Sequence, residues 1–241
     1  MEWNIGCAGY KYPDWRKIFY PEDVPQRKWF EYYCEHFSTL ELNETYYKFP
    51  RLETFRKWNS RSPEGFSFSV KAPHEVTQFR KFRDGQQMLS NFSGLAREGL
   101  GEKLAFILFQ FPGNFQYERE RLDRFVAMLD QSVRTVVEFR HESWWNDEVY
   151  AALAEAGVTF CGLSHPTLPK DIVATTEVLY YRLHGVPHLY NSKYSTEELE
   201  QIAQAMMNKG VRRAFVYFNN TADGNAIANA KQLQNICELV H

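Results

Sequence analysis

The chain is poor in the features that mark secreted, membrane-spanning and cofactor-carrying proteins. Its 241 residues include four cysteines, Cys7, Cys34, Cys161 and Cys237, far apart and without a C-x-x-C pair. That pattern fits reduced packing residues and gives no basis for a disulfide framework. Nowhere do about 18 apolar residues run consecutively, so no membrane span is expected. Met1 leads into Trp3-Asn-Ile-Gly6 with neither the basic nor the apolar stretch of a secretory leader. The expectation is a soluble, cytoplasmic protein with its oligomeric state open. An excess of one charge is lacking too: the formal net charge is −2 and the pI about 6.4. Bulk charge therefore does not draw this molecule to nucleic acid. G-x-G-x-x-G, P-loop, H-E-x-x-H and H-x-H patterns are all missing, so neither a nucleotide cofactor nor a metal is expected.

Aromatic residues are abundant, at 16% of the chain. Many fall in two early stretches: Tyr10, Tyr12, Trp15, Phe19 and Tyr20, then Tyr46, Tyr47 and Phe49. They serve either as packing or as a surface on which a base or sugar ring stacks. The stretch from Arg51 to Arg83 carries eight Lys or Arg (Arg51, Arg56, Lys57, Arg61, Lys71, Arg80, Lys81, Arg83) against Glu53, Glu64 and Glu75. Such a run is either a solvated helix face or an anion-attracting patch.

Eight β-rich runs recur along the chain: Trp3–Cys7, Thr39–Asn43, Phe66–Ala72, Leu104–Phe111, Thr135–Arg140, Val158–Gly162, Val178–His184 and Arg213–Phe218. Helical patterns lie between them at Gln26–Phe37, Leu52–Arg61, Gln86–Glu98, Glu118–Leu129, Asp147–Ala156, Thr196–Lys209 and Ala226–Leu239. Ser195 with Glu198 forms a capping-box pair that fixes one helix start. The unbroken apolar run Leu104-Ala-Phe-Ile-Leu-Phe109 suits a parallel strand covered on both faces. Eight alternating units predict a single-domain TIM (β/α)8 barrel over residues 1–241, with a doubly wound open sheet as the alternative. Ser164–Thr176 has no helical period and contains Pro166 and Pro169, so one helix is expected to be missing or reduced after the sixth strand.

In a parallel barrel the C-terminal strand ends and the loops after them form the reactive face. Side chains at i and i+2 share one side of a strand. Glu41 with Asn43, Glu138 with Arg140, and Arg182 with His184 should therefore point together, and Lys71, Gln110, Asn219 and Asn220 close three further strands. A buried Glu138 and Arg182 can also pair for purely structural reasons.

The ordered motifs Gly6-Cys-Ala-Gly-Tyr10, Phe37-Ser-Thr-Leu-Glu-Leu-Asn43, Phe66-x-Phe-x-Val-Lys71, Leu108-Phe-Gln-Phe-Pro112, Val137-Glu-Phe-Arg-His141, Tyr181-Arg-Leu-His-Gly185 and Tyr217-Phe-Asn-Asn220 resemble the YecE-like family, a domain of unknown function. The resemblance spans essentially the whole chain and implies a TIM barrel. It implies no reaction. The fold likeness of that family to the endonuclease IV and xylose isomerase group suggests nucleic-acid binding by analogy alone.

Three readings follow. The first is an enzyme needing no metal or organic cofactor, a hydrolase or lyase working on a small anionic ligand, phosphorylated ligands included. Glu138 and Glu41 serve as base and charge partner, His184 as proton shuttle, and Arg140, Arg182 and Lys71 as an anion clamp. Asn43, Gln110, Asn219 and Asn220 orient the ligand and Tyr46 lies beside it. Glycines in the loops after strands seven and eight, Gly185 and Gly224, offer backbone N–H groups to a phosphate. An imine-forming Lys71 is a minor variant of this reading. The second is a binder of nucleic acid, or a nuclease, using the Arg51–Arg83 stretch and the aromatic loops. The third is a site for a protein partner.

Overall fold

In the computed structural model, which describes residues 1–79 and 85–239, eight parallel strands close on themselves in chain order. The strands are β1 (Glu2–Ala8), β2 (Thr39–Leu42), β3 (Ser67–Lys71), β4 (Leu104–Phe111), β5 (Thr135–Phe139), β6 (Thr159–Ser164), β7 (Val178–Leu183) and β8 (Arg213–Phe218). The helices are α1 (Trp29–Cys34), α2 (Glu44–Tyr47), α3 (Leu52–Arg61), α4 (Gln86–Leu100), α5 (Arg119–Ala127), α6 (Asp147–Glu155), α7 (Thr196–Met207) and α8 (Asn225–Leu239). No helix separates β6 from β7, where the two prolines stand. The one-turn α2 is the helix that periodicity does not announce, because four residues are too few to show a repeat. Ser195 caps α7 with the expected reciprocal bonds to Glu198. None of the described helices is long and apolar enough to cross a membrane.

Alternation along the strands divides the hydrophobic residues into two bodies. One is the sheath between strands and helices, including Phe30, Phe55, Phe92, Phe139, Trp144 and Leu199. The other fills the barrel itself, with Phe106, Leu108, Val136, Cys161, Tyr180, Phe215 and Tyr217. Where β1 and β2 separate below their two paired rows, the Tyr33 hydroxyl from α1 receives the Cys7 N–H (2.8 Å) and donates to the Thr39 carbonyl (3.0 Å). A phenol thus completes a ladder that backbone alone leaves open.

The aromatic stretch after β1 is packing. Tyr10, Trp15, Phe19 and Tyr20 are all buried, with Tyr20 stacked on Trp29 at 4.4 Å. Of the early aromatics only Tyr47 is strongly exposed and Phe49 about a third exposed, so a continuous stacking platform is not what these residues build.

Candidate functional site

The inward-facing positions near the C-terminal strand ends form a layer of ions. Arg182, from β7, is 1% exposed and extends between two fully buried carboxylates. Its Nη2 donates to Glu41 Oε1 of β2 at 2.7 Å, and its Nη1 donates to Glu138 Oε2 of β5. Arg140, two residues beyond Glu138, turns back and donates through Nε to Glu138 Oε1. The remaining Glu41 oxygen receives the Tyr180 hydroxyl at 2.7 Å. Every carboxylate oxygen thus has a donor, and the net charge of these four ionic groups cancels.

Burial alone would push Glu138 up, but the Arg140 and Arg182 guanidinium groups outweigh it and hold the carboxyl well below the usual carboxylate range. This changes the expected chemistry. Glu41 and Glu138 are locked acceptors with no exposed oxygen, which leaves neither available as the base of the first reading, and Arg182 is enclosed too deeply to clamp a ligand.

His184 lies above this layer with its Nε2 3.3 Å from Arg140 Nη2 and 3.7 Å from Glu138 Oε2, and its Nδ1 2.9 Å from the Asn219 side-chain amide. Burial and then the Arg182 charge bring its pKa down to about 3. The ring is neutral at physiological pH and fully enclosed, so it carries no imidazolium proton to pass to a ligand. The shuttle role expected of His184 therefore gives way to a positioning one, with the imidazole buttressing Arg140.

Lys71 at the end of β3 has a different environment. Its Nζ donates to Gln110 Oε1 of β4 at 2.7 Å and stands 4.1 Å from the centre of the Tyr46 ring. Both partners are neutral, and the residue is 8% exposed. Burial, followed by the positive charge of Arg182, lowers its pKa to about 7. Arg140 is the other cation at the rim: its side chain keeps 12% exposure, and Nη1 has no hydrogen-bond partner among the described residues, since Nε and Nη2 make the bonds given above.

The remaining candidates divide. Gln110, Tyr46 and Asn219 join the cluster through the contacts above. Asn43 lines a cleft of about 170 Å3 between the loops after β1 and β2, alongside Lys11, Tyr12 and Tyr47, with its Oδ1 buried and without a hydrogen-bond partner among the described residues. Asn220 does not enter the mouth. It follows Asn219, so alternation turns it outward, where its Nδ2 donates to the Ser192 carbonyl and to Asn229 Oδ1 of α8.

Gly185 takes a positive φ of 93° that suits glycine, but its N–H donates to the Tyr194 hydroxyl at 2.8 Å and is not open to a phosphate. A Cβ on Gly224 would meet the Ile18 side chain at 2.7 Å, a packing reason for that glycine. Within the basic stretch, Arg56 and Arg61 pair with Glu98 and Glu31, Lys71 sits in the barrel, and Arg80, Lys81 and Arg83 lie outside the described residues. Tyr180, Tyr217 and Cys161 also belong to the interior network; for Tyr180 and Tyr217 the i, i+2 relation to Arg182 and Asn219 is the signal that could have found them, and no sequence signal marks Cys161.

Among the described residues no group of three or more His, Cys, Asp or Glu side chains is placed to hold a metal ion. The donor set gives the reason, since the carboxylates that would ligate one are bound to guanidinium groups.

The UPF0759 protein YunF of Bacillus subtilis (strain 168) is 27% identical over 271 aligned positions, covering 98% of this chain and 94% of that protein. The crystal structure of a DUF72 family protein from Thermotoga maritima MSB8 superposes with a TM-score of 0.89 at 29% identity, over 99% of this chain and 100% of that one. A DUF72 family protein from Enterococcus faecalis V583 gives a TM-score of 0.84 at 19% identity, over 99% and 96%, a likeness of fold alone. The sequence profile of the family described as protein of unknown function DUF72 matches residues 4–241, and the chain belongs to that family.

Proposed function

We propose that the chain is an enzyme that takes a small anionic substrate at the C-terminal mouth of the barrel and works on it without a resident metal. The observation that carries this reading is the pair of cations at the rim: Arg140, ion-paired to Glu138 through Nε but with its Nη1 edge open among the described residues, and Lys71, which forms no ion pair among them. A guanidinium edge with a free N–H suits a carboxylate or phosphate oxygen. Gln110 and Asn219 give the ligand directional neutral partners, and the buried lattice of Glu41, Arg182 and Glu138 fixes Arg140 in place. The reactive group in this reading is Lys71, which changes protonation near neutral pH, and not either carboxylate.

The test is thermal unfolding of wild type and Arg140→Gln with inorganic phosphate and a panel of small phosphorylated and carboxylated metabolites, each shift measured against that variant's own ligand-free midpoint. A rise in the wild-type midpoint that is lost in the variant supports the reading. No ligand-dependent rise in either protein overturns it. A labelled oligonucleotide titrated at two salt concentrations forms the second arm: binding that weakens steeply with salt, with no metabolite effect, transfers the mouth to nucleic acid.

A further inference from the structure

We propose that Lys71 is a carbonyl-capturing amine, so that the anionic substrate of the mouth is an aldehyde, ketone or 2-oxo acid held as an imine on its Nζ. The proposal rests on the mouth reading above and adds the substrate class. Three observations about position lead to it. Lys71 ends a barrel strand on the inner side, where reacting groups stand in this architecture. It is nearly enclosed and yet forms no ion pair among the described residues; its hydrogen bond goes to the neutral Gln110 amide and its ammonium faces the Tyr46 ring. A lysine kept for charge pairing would face one of the carboxylates, and here both carboxylates face arginines instead.

The charged groups around Lys71 are four residues on three elements: Arg182 on β7, Arg140 and Glu138 at the end of β5, and Glu41 on β2. Tyr46 on α2 supplies the ring beneath the amine. Desolvation and the two guanidinium groups favour the neutral amine, the two carboxylates oppose them, and the balance leaves about half the side chain as free amine near pH 7. An ordinary lysine at that pH is almost entirely ammonium, because its pKa is about 10.4.

The step balances without any further reactant. The nitrogen lone pair of Lys71 forms a C–N bond to the carbonyl carbon, and the carbonyl oxygen takes a proton to give a carbinolamine. That hydroxyl takes a second proton and leaves as water, while the nitrogen gives up both of its hydrogens, so that one carbonyl and one amine become one imine and one water. Protonated, the imine withdraws electrons from the neighbouring carbon, which is the chemistry that carbon–carbon cleavage or proton removal beside a carbonyl requires. The open edge of Arg140 would hold the carboxylate or phosphate of the same substrate.

The experiment traps the imine. Wild-type protein is incubated at pH 7 with sodium cyanoborohydride and one of two probes, pyruvate as the anionic carbonyl or propionaldehyde as the neutral one, and the modified lysines are located by peptide mass mapping. The expected result is labelling of Lys71 by both probes at a rate at least about tenfold above the median surface lysine, following the larger fraction of free amine. The Lys71 rate should rise with pH to half its plateau near 7. Measured relative to the surface lysines of the same sample, pyruvate should favour Lys71 more than propionaldehyde does in wild type. Arg140→Gln, which also slows Lys71 with both probes because one guanidinium favouring the neutral amine is gone, should bring the ratio of the two towards one.

Because Lys71 is compared with other lysines of the same molecule, the test does not depend on a lysine variant folding. Labelling spread evenly over surface lysines, with Lys71 no faster than the rest, overturns the inference, and the phosphate-dependent thermal shift then decides separately whether the anion site survives. Propionaldehyde on Lys71 with no advantage for pyruvate sustains the amine chemistry and overturns the anion reading instead.

Discussion

Polar atoms inside the barrel are handled in two ways at two adjacent levels. At the lower level the Tyr217 hydroxyl meets Thr39 Oγ1 at 2.6 Å and Ser69 Oγ at 3.0 Å, with Phe106 and Phe215 packed around it. Two residues further along the same strands, Thr39 is succeeded by Glu41 and Ser69 by Lys71, and hydroxyls give way to charges. Hydroxyls can act as both donor and acceptor, so the lower level adjusts easily and loses little when one bond is removed. The upper level cannot adjust, because removing one ion strands another in a medium that does not solvate it. Such a lattice makes a rigid floor and a poor set of reagents. The two cations nearest the mouth, Arg140 and Lys71, are the least enclosed of its charges.

The largest expected effect tests whether the upper level behaves as one unit. Arg182→Met leaves Glu41 and Glu138 buried without their shared partner and should lower stability by about 3–5 kcal/mol in urea titration at pH 7. The loss should shrink as pH falls towards 4, when a stranded carboxyl takes a proton and stops being a buried charge. Adding Glu41→Gln and Glu138→Gln to the same chain should recover much of it. A loss under about 1 kcal/mol at pH 7 would mean that water reaches the layer and that the two levels do not differ.

Next in size is the pH dependence that Lys71 imposes. Its folded pKa, about 7, lies below the ordinary 10.5, so between those values the unfolded chain binds more protons and stability rises with pH. Below pH 7 the penalty of enclosing the amine is fully present. Lys71→Met removes it, and the variant should exceed wild type by roughly 3 kcal/mol at pH 6, with the gap closing by pH 10. His184 acts at the other end of the scale: with a pKa of about 3 against an ordinary 6.5, it withdraws stability as pH drops from 6.5 towards 3. A Lys71→Met advantage that is flat from pH 6 to 10 would show that the amine is an ordinary solvated lysine.

The fold was legible because helix and strand periods are properties of neighbouring residues. Seven helical segments and eight strands appear in the sequence close to where they stand, and the pairings of Glu138 with Arg140 and Arg182 with His184 follow from a repeat of two, whereas Asn43 leaves the strand after Leu42 and lines a separate cleft. The partners across strands were not legible, because they depend on the register between strands. Nothing in Thr-Leu-Glu-Leu says that Glu41 meets Arg182, 141 residues away, or that the second Glu41 oxygen goes to Tyr180. Without those contacts the carboxylates read as free reagents. Asn220 shows the limit in one residue: its type suits a site, and its position next to Asn219 already turned it towards α8.

The smallest effects give the finest test, by exchanging one hydroxyl at each level. Tyr217→Phe removes a neutral bond from Thr39 and from Ser69, but Thr39 Oγ1 keeps the Ser67 carbonyl at 3.1 Å. The expected loss is about 1 kcal/mol, the usual net worth of a neutral hydrogen bond, and it should not vary between pH 5 and 9. Tyr180→Phe takes its hydroxyl from a carboxylate oxygen of Glu41, and bonds to ionised groups are worth about 1.5–3 kcal/mol. The two residues are neighbours, with ring centres 5.2 Å apart, and the substitutions delete the same single oxygen. The difference between them isolates the charge of the acceptor from packing and volume. Tyr180→Phe should therefore be the more destabilising of the pair in matched urea titrations. The opposite order would mean that Glu41 finds a replacement donor, which only a layer open to water could supply.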